Sequence, residues 1–168
     1  METKTATDIL KMAILMEKRG KAFYAQVAQQ TQDEEARSIF QFMADEEQMH
    51  VEFLAKQYLY YEKNQKFDVN APIASGADEG VVLSILNEGM KSQITAASYE
   101  AAAISAAIDF ETKAIEYYSK MAEQATDENE KQMYTWLAEW EGGHHKVLFQ
   151  MNQELMEKVW NDNQFWPF

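Results

Sequence analysis

The chain has 168 residues, 46% of them apolar, and a formal net charge of −13, a length that fits one domain able to bury its own core. Such an acidic balance repels nucleic acid and anionic membrane surfaces and attracts cations. There is no cysteine, which excludes disulfides, thiolate zinc sites, iron–sulfur clusters and a thiol nucleophile.

Met1 to Thr5 lead into a charged amphipathic pattern with no apolar stretch of the secretory kind, and no run of about eighteen apolar residues follows, so a soluble cytoplasmic protein without a membrane span is expected. Helical periodicity then dominates. A first helix is predicted from about Asp8 to Gln29, capped by Thr5 with Asp8 at the third position. Gln30 to Asp33 make a tight turn into a second helix that runs to about Glu62, and so short a connection sets the two helices antiparallel. Pro72, Ser75, Gly76 and Gly80 mark a non-helical stretch, followed by a short helix over Val81 to Met90. An alanine-rich segment from Ala96 opens a third long helix ending near Ala125. A fourth helix runs from Thr126-Asp127 to about Trp160, with an aromatic tail to Phe168.

An internal repeat organises this pattern. Shifting the sequence by 94 superimposes Ala13, Ile14, Glu17, Tyr24, Ala28, Gln30, Asp33, Glu34, Ala44, Glu47, His50 and Leu54 on identical residues from Ala107 to Leu148. Twelve identities in 42 ungapped positions far exceed the roughly two or three expected by chance. Aromatic positions also match in kind: Phe23 with Tyr117, Phe40 with Tyr134, Phe42 with Trp136. The expected architecture is therefore all-α, a four-helix bundle of two repeated antiparallel hairpins joined by one long crossover. The single domain spans 1–168, with hairpins over about 5–63 and 96–160 and a connection over 64–95.

Each long helix carries one apolar stripe, and each stripe is interrupted by a glutamate: Glu17, Glu47, Glu111 and Glu141. The second and fourth add a histidine three residues later, His50 and His144, on the same helical face. Four carboxylates gathered in a bundle core cannot all stay ionised unaided, because burial and mutual repulsion oppose it. Two divalent cations would balance four negative charges. A glutamate from each of two helices with Glu-x-x-His from each of the others is the ligand pattern of dinuclear carboxylate bundles. Glu17, Glu47, His50, Glu111, Glu141 and His144 are thus the candidate metal ligands, with His145 the alternative to His144 if the fourth helix is shifted by one residue. Oxygen and imidazole donors without thiolate suit iron and manganese and accept zinc or cobalt, and a pair of iron ions is expected. Gly142 and Gly143, inside the fourth helix, are read as positions packed closely against a neighbouring helix or subunit, or alternatively as a distortion opening room beside the metals. Asp45 and Glu139 are the neighbouring carboxylates weighed as outer hydrogen-bond partners.

Over Ile9 to Gln57 and Ala103 to Met151 the sequence resembles the rubrerythrin-type diiron domain of the ferritin-like superfamily. The resemblance implies a ferritin-like bundle in which Glu17 and Glu111 are terminal ligands, Glu47 and Glu141 bridge, and His50 and His144 each serve one metal. It also assigns Tyr24 and Tyr118 hydroxyls to ligand carboxylates. The pattern departs at Ala114, where peroxidase rubrerythrins carry an additional glutamate, and no rubredoxin-like cysteine module is present. Any electrons would then come from a separate, rubredoxin-like donor. The connection between the second and third helices is longer than in cage-forming ferritins, and the small residues Ala96 to Ala107 with the aromatic tail suggest a homodimer. Three roles follow as expectations: an oxidoreductase reducing peroxide or oxygen, an iron-handling ferroxidase, or a bundle whose metals serve stability alone.

Overall fold

The structure is a computed structural model that describes residues 5–68 and 99–162. The expected helix over Val81 to Met90, most of the 64–95 connection and the end of the aromatic tail lie outside the described residues. Among the described residues there are four helices: α1 (Ala6–Gln30), α2 (Glu34–Asn64), α3 (Tyr99–Gln124) and α4 (Glu128–Asp162). No strand occurs among the described residues, and no helix there is long and apolar enough to cross a membrane.

The helix ends show why the chain turns where it does. Thr5 and Asp8 form the expected capping box, the Asp8 amide donating to Thr5 Oγ1 at 3.2 Å and the Thr5 amide to Asp8 Oδ2 at 3.1 Å. Such a reciprocal pair satisfies two amides that a helix start leaves without intrahelical partners. Asp33 caps α2 by accepting the Ala36 amide at 2.8 Å. Its repeat counterpart Asp127 accepts the amides of Asn129 and Glu130 at 2.9 Å at the start of α4. The preceding helices close alike, with Thr31 N–H on the Val27 carbonyl and Ala125 N–H on the Met121 carbonyl, both 2.9 Å. The repeat is therefore structural as well as sequential: the same turn chemistry is used in both hairpins.

α2 ends at Gln65, a left-handed residue with φ 52° whose amide bonds the Tyr61 carbonyl at 2.8 Å. Gln57 then holds Asp68 through two hydrogen bonds of 3.0 Å to its backbone, which seats Phe67 in the core against Tyr61.

α1 packs along α2 and α3 along α4, and α1 also meets α3 across the bundle. Glu100, in the first turn of α3, accepts the Gln32 amide at 3.0 Å. The start of α3 therefore lies beside the turn between α1 and α2, so α2 and α3 run in the same direction. A single crossover permits that arrangement, and two short turns would not. The interior has two apolar layers. One gathers Val27, Ile39, Phe40, Met43, Ile104, Leu148 and Met151, the other Leu10, Phe53, Leu54, Met133 and Leu137. Between them lies a polar layer.

Candidate metal centre

Glu17, Glu47, His50, Glu111, Glu141 and His144 are all at least 96% buried and converge in that middle layer. Each hairpin delivers its three by helical spacing. Glu17 on α1 faces Glu47 and His50 on α2, and Glu111 on α3 faces Glu141 and His144 on α4. Their donor atoms form two overlapping sets, each fitting within 4.8 Å: Glu17, Glu47, His50 and Glu141, and Glu47, Glu111, Glu141 and His144.

Glu47 and Glu141 belong to both sets, and the individual atoms show how. Glu47 places Oε2 3.6 Å from His50 Nδ1 and Oε1 3.8 Å from His144 Nδ1. Glu141 places Oε1 3.4 Å from His50 Nδ1 and Oε2 3.3 Å from His144 Nδ1. Each shared carboxylate thus offers one oxygen to each side. The terminal glutamates serve one side each, Glu17 Oε2 lying 3.0 Å from His50 Nδ1 and Glu111 Oε1 3.6 Å from His144 Nδ1. The two imidazoles lie nearly parallel, 5.9 Å apart at 23°.

Tyrosines hold the terminal carboxylates, and they do so crosswise. Tyr24 of the first hairpin donates its hydroxyl to Glu111 Oε1, and Tyr118 of the second donates to Glu17 Oε1. Each tyrosine sits two helical turns after its own glutamate but serves that of the opposite hairpin, so these bonds also tie the hairpins together. Gly20 completes the packing, for a Cβ there would lie 3.0 Å from the Glu47 carboxylate and from Phe110.

Without metal this layer is electrostatically frustrated. Burial, with repulsion from Glu141 and Glu17, holds the Glu47 carboxyl well above the ordinary range. Burial and Glu141 push Glu111 up to about 8. Burial alone would lower the imidazoles, yet the flanking carboxylates Glu141 and Glu17 raise His50 to about 10, and Glu111, Glu141 and Glu46 raise His144 well above its usual value. Burial would raise Glu141 as well, but the two histidines draw it below the carboxylate range. Protons therefore occupy the place of counterions.

Even so, both oxygens of Glu47, both of Glu141, Glu111 Oε2 and His144 Nδ1 are buried with no hydrogen-bond partner among the described residues. Unpaired buried acceptors are costly and rare. Here they are clustered and aimed at one another, and a cation would take the place of the protons they hold. This donor set fits a pair of hard or borderline divalent ions.

Two sequence expectations need correction. Asp45 and Glu139 are exposed and turn away from the centre, Asp45 accepting from Gln41 at 3.0 Å. The carboxylate that does reach a ligand is Glu46, 98% buried, whose Oε2 lies 2.9 Å from His144 Nε2. A signal was available: Glu46 lies three residues after Met43 and four before His50, and so shares their buried face. The second correction concerns the glycine pair within this chain. α4 runs unbroken through Gly142 and Gly143, and a Cβ at either would meet no atom within 4 Å. Neither close packing against another described helix nor a break in α4 explains them. His144 enters the cluster, while His145 stacks on Phe149 at 6.2 Å, which removes it as the alternative ligand.

The Rubrerythrin family model matches the chain over residues 8–105 and 102–162. A hypothetical protein from Pyrococcus furiosus has a similar structure, with a TM-score of 0.62 and 24% identity over 91% of each chain, a likeness that speaks to the fold. No curated protein matches the sequence.

Proposed function

The chain belongs to the rubrerythrin family, and on that premise we propose that it is a non-haem diiron-carboxylate oxidoreductase that reduces peroxide or oxygen. The observation that carries this reading is the pair of four-atom donor sets sharing Glu47 and Glu141. In it Glu17, His50 and the two shared glutamates would hold one iron, and Glu111, His144 and the same two glutamates the other. Two ferrous ions, when bound, would supply the two electrons that convert one peroxide and two protons to two waters, together with open coordination positions for a small oxidant.

The remaining work falls to the protein. Apolar layers on both sides of the centre exclude bulk water, which strengthens every interaction inside it. Tyr24 and Tyr118 fix Glu111 and Glu17 against rotation, and keep their phenolic protons because burial and the adjacent carboxylates raise both far above the ordinary range. Electrons would return from a separate donor, such as a small rubredoxin-like protein, and the cytoplasm is the setting in which such a donor is expected.

Iron handling is the second reading, in which ferrous ion is substrate and not cofactor. Ala114, buried in the apolar layer beside Tyr118, favours it, because an additional glutamate at that position is what the resemblance associates with peroxidases. Stopped-flow mixing of the diferrous protein with peroxide and with oxygen, followed by a reductant, separates the two. The oxidoreductase turns over repeatedly, faster with peroxide, at two irons per chain. A ferroxidase oxidises each addition of iron once and accumulates the product. Failure of both reactions would remove the oxidative readings altogether.

A further inference from the structure

The repeat that pairs every ligand of one hairpin with one of the other fails immediately beside them. Position 46 is glutamate, and its counterpart, position 140, is tryptophan. In the bundle each stands behind the histidine of the opposite hairpin. Glu46 Oε2 accepts from His144 Nε2 at 2.9 Å. Trp140 instead meets His50 edge to face, with ring centroids 4.7 Å apart at 85°, and Trp136 lies against the same imidazole at 6.0 Å. His50 Nε2 is buried with no hydrogen-bond partner among the described residues. Both histidines aim Nδ1 at the shared carboxylates, but among the described residues only His144 has its rear nitrogen held by a carboxylate.

We propose that Glu46 is a positioning residue that makes the His144 half of the centre the tighter divalent-metal position, the first to be filled. This rests on the dinuclear reading above. A carboxylate accepting Nε2–H fixes the tautomer that leaves the Nδ1 lone pair free for a metal, stops the ring from rotating, and increases electron density at the donor nitrogen. Among the described residues His50 receives none of this. To present the same lone pair it must bury an Nε2–H for which the described residues offer no acceptor. Glu46 also adds a nearby negative charge in a dry environment where attraction to a cation is weakly screened. Carboxylates in this position typically change metal affinity by about tenfold to a hundredfold, enough to separate the two halves.

Two ions bound close together repel, so stepwise loading of the intact centre would not by itself reveal inequivalence. The test uses full-length chains with one position disabled, titrated anaerobically with Co(II) and followed by calorimetry and visible absorption. His50→Ala leaves the His144 position, and His144→Ala leaves the His50 position. The expected result is that His50→Ala binds Co(II) about tenfold or more tightly than His144→Ala. Adding Glu46→Leu should weaken binding by about ten- to a hundredfold in the first chain and by less than about twofold in the second. Glu46→Gln, which keeps an acceptor oxygen and the side-chain shape, should give a smaller loss, and it serves if the leucine variant loses helicity. Equal affinities of the two single-histidine chains, or a Glu46 effect shared equally between them, would overturn the inference and leave the dinuclear centre standing. Absence of Co(II) binding by the unsubstituted chain would overturn both.

Discussion

The middle layer of the bundle and the apolar layers on either side are built on the same four helical faces, with the same three- and four-residue spacing, yet they obey opposite rules. In the outer layers a side chain such as Leu10 or Ile104 is fully enclosed by other apolar groups, and burial itself is the gain. In the middle layer burial works against every ionised group, as the upward displacement of Glu47 and Glu111 shows. The outer layers hold the hairpins together, and the middle layer is held by them at a cost that metal would offset. Folding stability and metal affinity should therefore separate under mutation.

The largest expected effect is in the outer layers. Leu10→Ala and Ile104→Ala should each cost about 2–5 kcal/mol, measured by urea denaturation, while leaving the number of metal ions bound per chain unchanged. A loss of metal without loss of stability would break the comparison.

Neutralising the middle layer should do the reverse. Glu47→Gln removes a carboxyl that burial and its neighbours oppose ionising, so it should stabilise the metal-free chain more as pH is raised, and abolish the stabilisation that added metal gives. The pH dependence follows from the same groups. Glu111 at about 8 and His50 at about 10 lie above their ordinary values of 4.5 and 6.5, so the folded state holds protons that the unfolded chain has shed. Stability of the metal-free protein from these groups is fully present at acid pH. It is lost from Glu111 as pH rises from 4.5 to about 8, and from His50 between 6.5 and about 10. Metal displaces those protons, so the rise in Tm on loading should grow as pH is raised. A Tm increment that shrinks over that range would contradict the account.

Gly20 joins the two regimes, since a methyl there meets both the Glu47 carboxylate and Phe110. Gly20→Ala should cost about 1–3 kcal/mol from overpacking and weaken metal binding as well, which calorimetry on the apo and loaded protein would separate. The smallest effect lies at the back of α4: Gly143→Ala has open space around the added methyl and should gain up to about 1 kcal/mol from helix propensity, detectable as a higher Tm without metal.

The repeat made most of this legible from sequence. It pointed to His144 over His145 and to the six candidate ligands whose donor atoms the structure brings together, because identical side chains recur at equivalent positions of two paired hairpins. The same device concealed Glu46: identity with position 140 was the criterion, and the useful information lay in the mismatch. The crosswise pairing of Tyr24 with Glu111 and Tyr118 with Glu17 was also beyond sequence spacing, which relates residues along one helix and not between hairpins. Gly142 and Gly143 meet no described helix of this chain, because a glycine's reason lies in what surrounds it and not in its own spacing.

The most direct measurement is a count of iron in the anaerobically loaded chain beside Glu47→Ala and Glu141→Ala, with circular dichroism to establish that all three fold. The account predicts two ferrous ions per chain in the first and loss of both in either variant, because each of these glutamates faces both positions. Two ions retained in the variants, or none in the unsubstituted chain, would contradict it.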